Sequence, residues 1–331
     1  MGEKLPVDDR TRRVVFAGAD SELVKISLLL PTRGRPELVE RFFKSVIDTA
    51  EHLDAIEVVL CIDDDDVGSH HLHGGSLSTI RLIGPRRSMG AYNTQCYQAS
   101  TGQIIVLVND DMVMRTVGWD RELRVMHGRF PDQVYLGYCN DLLKKKGLAT
   151  FPILSRKTCE LLGDPYPDAY AGAFIDVHLF DVFKRLQYRG FDRFIYLEHV
   201  VFEHLHYRTG KAVYDETYKR RGRFEDDSIF IRLSGARREA ARNVINFLKG
   251  QRSCLSSLRA ECEVAPIAGE SPLLFYYQQI FLDRDLPLRW RTYLWIWFTL
   301  RHSAAHGLLR YLIKGTHGQE NVTGSVRDRT I

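Results

Sequence analysis

Ile104-Ile105-Val106-Leu107-Val108-Asn109-Asp110-Asp111-Met112-Val113-Met114 (IIVLVNDDMVM) joins a run of branched apolar residues to two adjacent carboxylates. An unbroken apolar run, rather than an alternation, is the pattern of a strand buried on both faces, as in the interior of a parallel sheet. Burying an ionised carboxylate without a partner is costly, and two side by side also repel. The stretch therefore predicts a buried strand over 104–108 that delivers two acids to a place where positive charge collects.

The same arrangement recurs upstream. Residues 23–30 (LVKISLLL) read as a buried strand ended by the turn PTRGRP. Pro36 suits the first turn of a helix whose apolar face is Leu38, Val39, Phe42, Phe43, Val46 and Ile47. Residues 56–62 (IEVVLCI) form a second strand and run into Asp63-Asp64-Asp65-Asp66. A short strand near 79–83 and a helix over about 89–99 precede the quoted strand. Strand and helix alternating through short loops predicts an α/β fold with a mostly parallel central sheet covered on both faces. In such sheets ligands bind beyond the carboxyl ends of the strands. Thr32-Arg33-Gly34-Arg35, Asp63 to Asp66 and Asn109-Asp110-Asp111 all fall at those ends.

Beyond Trp119 the pattern is mixed. Strands are expected near 134–138 and 151–154, with a helix capped by Ser155. Residues 176–188 (DVHLFDVFKRLQY) are strongly amphipathic and stop at Gly190. Two strands, 194–197 and 200–203, lead into His204-Leu205-His206. Residues 228–262 and 272–314 read as helical, so the chain divides into a charged leader (1–21), an α/β domain (22–225) and a helical C-terminal region (226–331).

The 331 residues are 44% hydrophobic and 27% charged, values of a globular protein, and the net charge of +4 is too mild to indicate nucleic acid. Six scattered cysteines without a CxxC pair (Cys61, Cys96, Cys139, Cys159, Cys254, Cys262) read as reduced thiols. The charged N-terminus lacks the apolar core of a signal peptide, and no apolar run is long enough to span a bilayer. A cytoplasmic location is the expectation, at the inner face of the membrane if the C-terminal region touches lipid; the sequon at Asn321 reads as coincidental. Dinucleotide-binding, P-loop and nucleophile-elbow motifs are absent.

Each polar cluster carries a functional and a structural reading. Asp110-Asp111 suit a hard cation such as Mg²⁺ or Mn²⁺, which takes a few protein oxygens and fills the rest with phosphate and water; either acid also suits a cap. One or two of Asp63 to Asp66 can contact a base or ribose while the others are solvated. His204 and His206 alternate onto one face of a strand, as metal ligands or as satisfied histidines. Asp176 is an N-cap or a general base. Arg86-Arg87 and Lys219-Arg220-Arg221-Gly222-Arg223, with Arg208 and Lys211 before them, either face a diphosphate or form solvated loops.

SLLLPTRGRPELVERFFKSV, then IEVVLCIDDDD, then GQIIVLVNDDMVM resembles, in that order, the GT-A glycosyltransferases, in particular the family-2-like group. The likeness covers about 24–115 and continues more loosely through FIDVHLFDVFKRLQYRG and VVFEHLHY. It implies a GT-A-like nucleotide-diphospho-sugar transferase sandwich with a helical C-terminal extension. Pro31, Thr32 and Arg33, followed by Arg35, with Asp63 or Asp64 would hold the nucleotide. Asn109 would line the nucleotide-sugar site, Asp110 would lie near the ribose and metal, and Asp111 would ligate the cation bridging the diphosphate. His204 or His206 would match a metal-binding histidine and Asp176 the acceptor-activating base. Arg87, Arg220 and Arg221 would add positive charge. Two departures stand out: Asn109 opens the metal motif, and Ile175 replaces the usual Glu before Asp176.

The implied activity is transfer of a sugar from a UDP- or GDP-linked donor to a glycan, lipid-linked or small-molecule acceptor hydroxyl, with inversion and a divalent cation (Mn²⁺ or Mg²⁺), in glycan or polysaccharide assembly. Two rivals remain open: a metal-dependent nucleotidyltransferase, which releases pyrophosphate, and a non-catalytic nucleotide-sugar-binding module, which binds without turnover. Residues 288–314, striped with Trp, Tyr, Phe and Arg, suit a helix at a membrane surface or, the reading preferred here, one packed on the catalytic domain or on a homodimer partner.

Overall fold

The structure, a computed structural model, describes residues 23–207, 210–212, 224–251 and 270–307. The leader, Arg208, Lys219 to Arg223 (with Arg220 and Arg221), Cys254, Cys262, residues 308–314 and the sequon at Asn321 lie outside these.

The buried apolar runs become strands: β1 (Ile26–Thr32), β2 (Ile56–Asp63), β3 (Ser78–Gly84) and β4 (Ile104–Leu107). Between them run α1 (Pro36–Thr49) and α2 (Met89–Ala99). The MVM that follows the two acids is a separate short strand, β5 (Met112–Met114), followed by α3 (Trp119–Gly128). Then come β6 (Leu136–Asn140), β7 (Ile153–Ser155), α4 (Arg156–Leu162), α5 (Ile175–Tyr188) and β8 (Phe194–His204). Ser155 caps α4 as expected, its hydroxyl accepting from Thr158 N. The strand pair expected over 194–203 is a single strand with a register shift opposite Cys139 and Asn140.

All eight strands lie in one sheet, ordered β3-β2-β1-β4-β7-β6-β8-β5. The pairs β3/β2, β2/β1, β1/β4 and β6/β8 are parallel; β4/β7, β7/β6 and β8/β5 are antiparallel. Within the parallel half β1, β2 and β4 are buried throughout, the arrangement in which continuous apolar runs are needed, while β3, at the sheet edge, is not. α1 covers one face with Val39, Phe42, Phe43 and Val46; Ile47, expected on that face, is exposed, and Ser45 is buried instead. The Ser45 hydroxyl receives Met114 N at 3.1 Å, which ties α1 to β5.

The helical region is α6 (Glu225–Arg232), α7 (Ser234–Leu248), α8 (Pro272–Tyr276), a π-helical turn and α9 (Leu288–Ala305). The long helix expected from 228 is broken at Leu233 between α6 and α7. Phe230, Val244 and Phe298 belong to the same hydrophobic cluster as Leu29, Val59 and Phe183, so residues on both sides of position 225 share one core. α9 buries Leu294 and Phe298, and Trp290 Nε1 donates to Asp181 at 2.9 Å. Its opposite side exposes Tyr293, Ile296 and Leu300. No helix of the described residues is long and apolar enough to cross a membrane.

Candidate active site

Three strand ends meet. β1 runs two residues further than its apolar run, so Pro31 and Thr32 are buried strand residues opposite Cys61 and Ile62 of β2. The chain then turns at Gly34, whose φ of +64° is left-handed and favours glycine. Gly34 N donates to Asp66 Oδ2 at 2.6 Å, and Arg35 leads into α1.

At the end of β4, Asn109 O accepts from Met112 N at 3.1 Å, which closes a tight turn around the two acids. The Asn109 side chain is exposed; Asp110 and Asp111 are buried, at 6% and 5% exposure. They face different partners. Asp110 accepts from Thr32 Oγ1 at 2.9 Å and from Arg35 Nη1 at 3.0 Å. Burial nevertheless pushes its pKa up to about 6, with Arg35 opposing and the Asp111 charge adding to the rise. The positive charge demanded by the sequence is thus supplied to one of the two acids by Arg35.

Asp111 is brought to His204 by strand register. β5 pairs antiparallel with β8 so that Met112 lies opposite His204, and Leu205 N donates to Asp111 O at 2.9 Å. His204 Nε2 is 3.4 Å from Asp111 Oδ2, and the other ring nitrogen, Nδ1, is buried without a hydrogen bond. β8 ends at His204, so the chain no longer alternates beyond it, contrary to the expected His-x-His strand face. Instead His206 N turns back to His204 O at 2.9 Å, and the rings meet edge-on 5.1 Å apart.

A carboxylate oxygen and an imidazole nitrogen 3.4 Å apart fit a divalent ion as adjacent ligands, since bonds of about 2.1 Å at right angles place ligand atoms roughly 3 Å apart. Among the described residues there is no cluster of three or more His, Cys, Asp or Glu that can hold a metal. Two protein ligands are enough for an ion that completes its shell with phosphate oxygens and water.

Beside this pair lies the Arg33 cluster. Asp63 is 1% exposed, and its two oxygens are taken by Arg33 Nη1 and Tyr92 Oη. Arg33 Nη2 also binds Asp65, at 2.7 Å. Two hydrogen-bonded carboxylates hold the guanidinium firmly charged, and burial followed by the bond to Asp63 raises the Tyr92 pKa. Asp64 is exposed, its N–H donating to Gly84 O. The Arg87 side chain is exposed too, while its N–H donates to Tyr92 Oη at 2.8 Å. Asp63 therefore fixes Arg33 and Tyr92, and these two present polar atoms at the strand ends. Tyr92 carries no sequence signal except its place one turn into a helix that Ser88 caps.

Asp176 is not the helix cap. Phe174, in a left-handed conformation, holds that position, and Asp176 is the second residue of α5, accepting from Val177 N at 2.8 Å. The loop ahead of it is fastened twice. Met89 N and Gly90 N, at the start of α2, donate to Ala171 O and Tyr170 O, both at 3.1 Å. Asp226, unremarked in the sequence, receives the N–H groups of Ala171, Gly172 and Ala173 at 2.8, 2.9 and 2.6 Å. α2 therefore carries Tyr92 to Asp63 and also docks the loop that leads to Asp176.

No family model matches the sequence, and no curated protein matches it. Solved structures similar to this chain include a mannosyltransferase, PcManGT, from Pyrobaculum calidifontis in complex with GDP-Man and Mn²⁺. It is 14% identical, with a TM-score of 0.43, over 88% of this chain and 79% of that one. Residues 1–349 of S. aureus TarS are 13% identical, with a TM-score of 0.47, over 86% and 92% of the two chains. Glucosyl-3-phosphoglycerate synthase from Mycobacterium tuberculosis, in complex with Mn²⁺, UDP and glucosyl-3-phosphoglycerate, is 16% identical, with a TM-score of 0.39, over 70% and 81%.

Proposed function

We propose that this chain is a glycosyltransferase that moves a sugar from a UDP- or GDP-linked donor to an acceptor hydroxyl, with inversion and with a divalent cation. The observation that carries the reading is the division of labour at the end of β4. Asp110 is engaged by Arg35 and Thr32, while Asp111 lies 3.4 Å from an imidazole nitrogen, so that a carboxylate oxygen and a neutral-capable nitrogen stand at the spacing of two adjacent cation ligands. Asp111 and His204 would hold the cation, which when bound offsets the charge that develops on a departing nucleoside diphosphate.

The other residues bind and orient. Arg33, braced by Asp63 and Asp65, and Tyr92 face the nucleotide; Asp110, on a tether to β1, faces the ribose. Asp176 accepts the proton of the acceptor hydroxyl as its oxygen bonds to the anomeric carbon and the bond to the diphosphate breaks. The proton ends on the carboxylate and the bonding pair leaves with the nucleoside diphosphate. Burial of Asp110 and Asp111 keeps water from competing for these charges.

The test is a thermal-shift panel of UDP- and GDP-sugars with and without Mn²⁺, followed by assay of the released nucleotide. A stabilisation that needs both donor and cation, with release of nucleoside diphosphate that Asp111→Ala abolishes, is expected. Release of pyrophosphate would indicate nucleotidyl transfer instead, and full turnover by Asp111→Ala would overturn the assignment.

A further inference from the structure

Away from the strand ends, α5 and α7 pack side by side and flank a half-open cavity of about 150 Å³. Its floor is Ala241 and Ile245, and its walls are Arg185, Arg189, Arg238, Arg242 and Lys249, with Asp285 the only acid. Like charges this close repel, and although solvent screens the exposed Arg189, Arg242 and Lys249, an anion among them is favoured.

Carboxylates balance part of it. Asp181 and Asp283 bind Arg185, at 3.0 and 2.9 Å, and Asp283 also faces Arg238 at 3.3 Å. Asp285 pairs with Arg189, and Glu239 with Arg242. Asp181 has a second guanidinium, Arg237, at 2.8 Å. Among the described residues six basic groups thus meet four acids, an excess of two positive charges.

Basic residues at helix C-termini also answer the helix dipole, which accounts for Arg185, Arg189 and Lys249 at the ends of α5 and α7. It does not account for Arg238 and Arg242, which sit in the interior of α7 and line the same cavity. The space equals about five waters at roughly 30 Å³ each, enough for a phosphate group with its one phosphorus and four oxygens.

We infer that this cavity between α5 and α7 binds the phosphoryl group of a phosphoester, held by Arg238, Arg242 and Lys249 against the fixed guanidiniums of Arg185 and Arg189. A phosphate monoester carries nearly two negative charges at neutral pH, which matches the local excess. Forked guanidinium donors suit its oxygens. The site is separate from the strand-end site: Arg185 and Arg189 lie nine and thirteen residues beyond Asp176, roughly 14 and 20 Å along the α5 axis.

The experiment uses the full chain. Melting is followed in sodium phosphate and in sodium chloride at matched ionic strength, for the native protein, Arg238→Ala/Arg242→Ala, Arg242→Gln alone and Asp111→Ala. A saturable stabilisation by phosphate is expected, with at least tenfold more phosphate needed in the double variant, a smaller change in the same direction for Arg242→Gln, and no change for Asp111→Ala. Arg242 is largely exposed, so its single substitution leaves the fold intact if the double variant does not fold. Cosedimentation with vesicles containing phosphatidic acid, a phosphate monoester, lost in these variants, would identify the phosphoester as a lipid headgroup; a response to free phosphate alone would identify a soluble one. A phosphate effect no greater than that of chloride, or one kept by the arginine variants and lost in Asp111→Ala, would overturn the inference.

Discussion

Arg35 and Asp110 form the ion pair on which the site rests, and both side chains are only 9% exposed. Removing one partner of such a pair leaves a buried charge, whereas removing both need not. Arg35→Ala is expected to cost about 3 kcal/mol. Arg35→Ala/Asp110→Asn should recover most of that loss in urea titrations. If the double variant is as unstable as the sum of the singles, the pair is not coupled. At this scale the sequence is informative about residue type and poor on partnership. That two acids at a strand end need positive charge is readable from IIVLVNDD. That Arg35 serves Asp110 while His204 serves Asp111 depends on strand register, which joins residues 75 and 93 positions apart. Tyr92 and Asp226 escape notice for the same reason, since each acts on a distant segment.

Among the elements, β1, β2 and β4 are legible because burial on both faces forces continuous apolar sequence. β5 is not legible, since three residues are too few for periodicity, and without it His204 cannot be placed. Glu57 interrupts the β2 run and shows what an acid inside a sheet requires. It is 1% exposed and receives Ser27 Oγ, Thr101 N, Thr101 Oγ1 and Lys25 Nζ at 2.6, 2.6, 2.9 and 2.6 Å. Burial alone would raise its pKa; these bonds more than offset that and bring it down to about 2. A depressed carboxylate stabilises the fold above its unfolded pKa, near 4.5, and loses that stabilisation as pH falls toward 2. The contribution is on the order of 3 kcal/mol. Urea midpoints should fall across this window in the native protein and much less in Glu57→Gln; parallel curves would contradict the assignment. Gly90 sets a second element-scale constraint. A Cβ there would lie 1.9 Å from Pro167 O, so Gly90→Ala must push α2 off the loop that leads to Asp176. A loss of about 2 kcal/mol is expected, with a larger relative fall in turnover than in donor binding. An unchanged kcat would show that this docking does not matter to the reaction.

For the molecule as a whole, the helical region is fastened to the loop that carries Asp176. Asp226 caps that loop with three N–H bonds, the adjacent Asp227 binds Arg301 of α9 at 2.7 Å through both oxygens, and Trp297 and Phe298 meet the ring of Phe174. Asp226→Ala is accordingly expected to lower stability by about 2 kcal/mol, because three N–H donors, that of Gly172 buried, lose a charged acceptor, and to lower turnover at saturating donor. Such a role is invisible in composition, where EDDSIFIR reads as one more acidic helix start. The account depends above all on a cation seated between Asp111 and His204 with a nucleoside diphosphate. The most direct measurement is Mn²⁺ binding by electron paramagnetic resonance, with and without UDP and GDP, in the native protein, Asp111→Ala and His204→Ala. The account predicts that nucleotide promotes Mn²⁺ binding to the native protein and that each substitution weakens it at least tenfold while the fold is kept. Mn²⁺ held equally well by Asp111→Ala would contradict it.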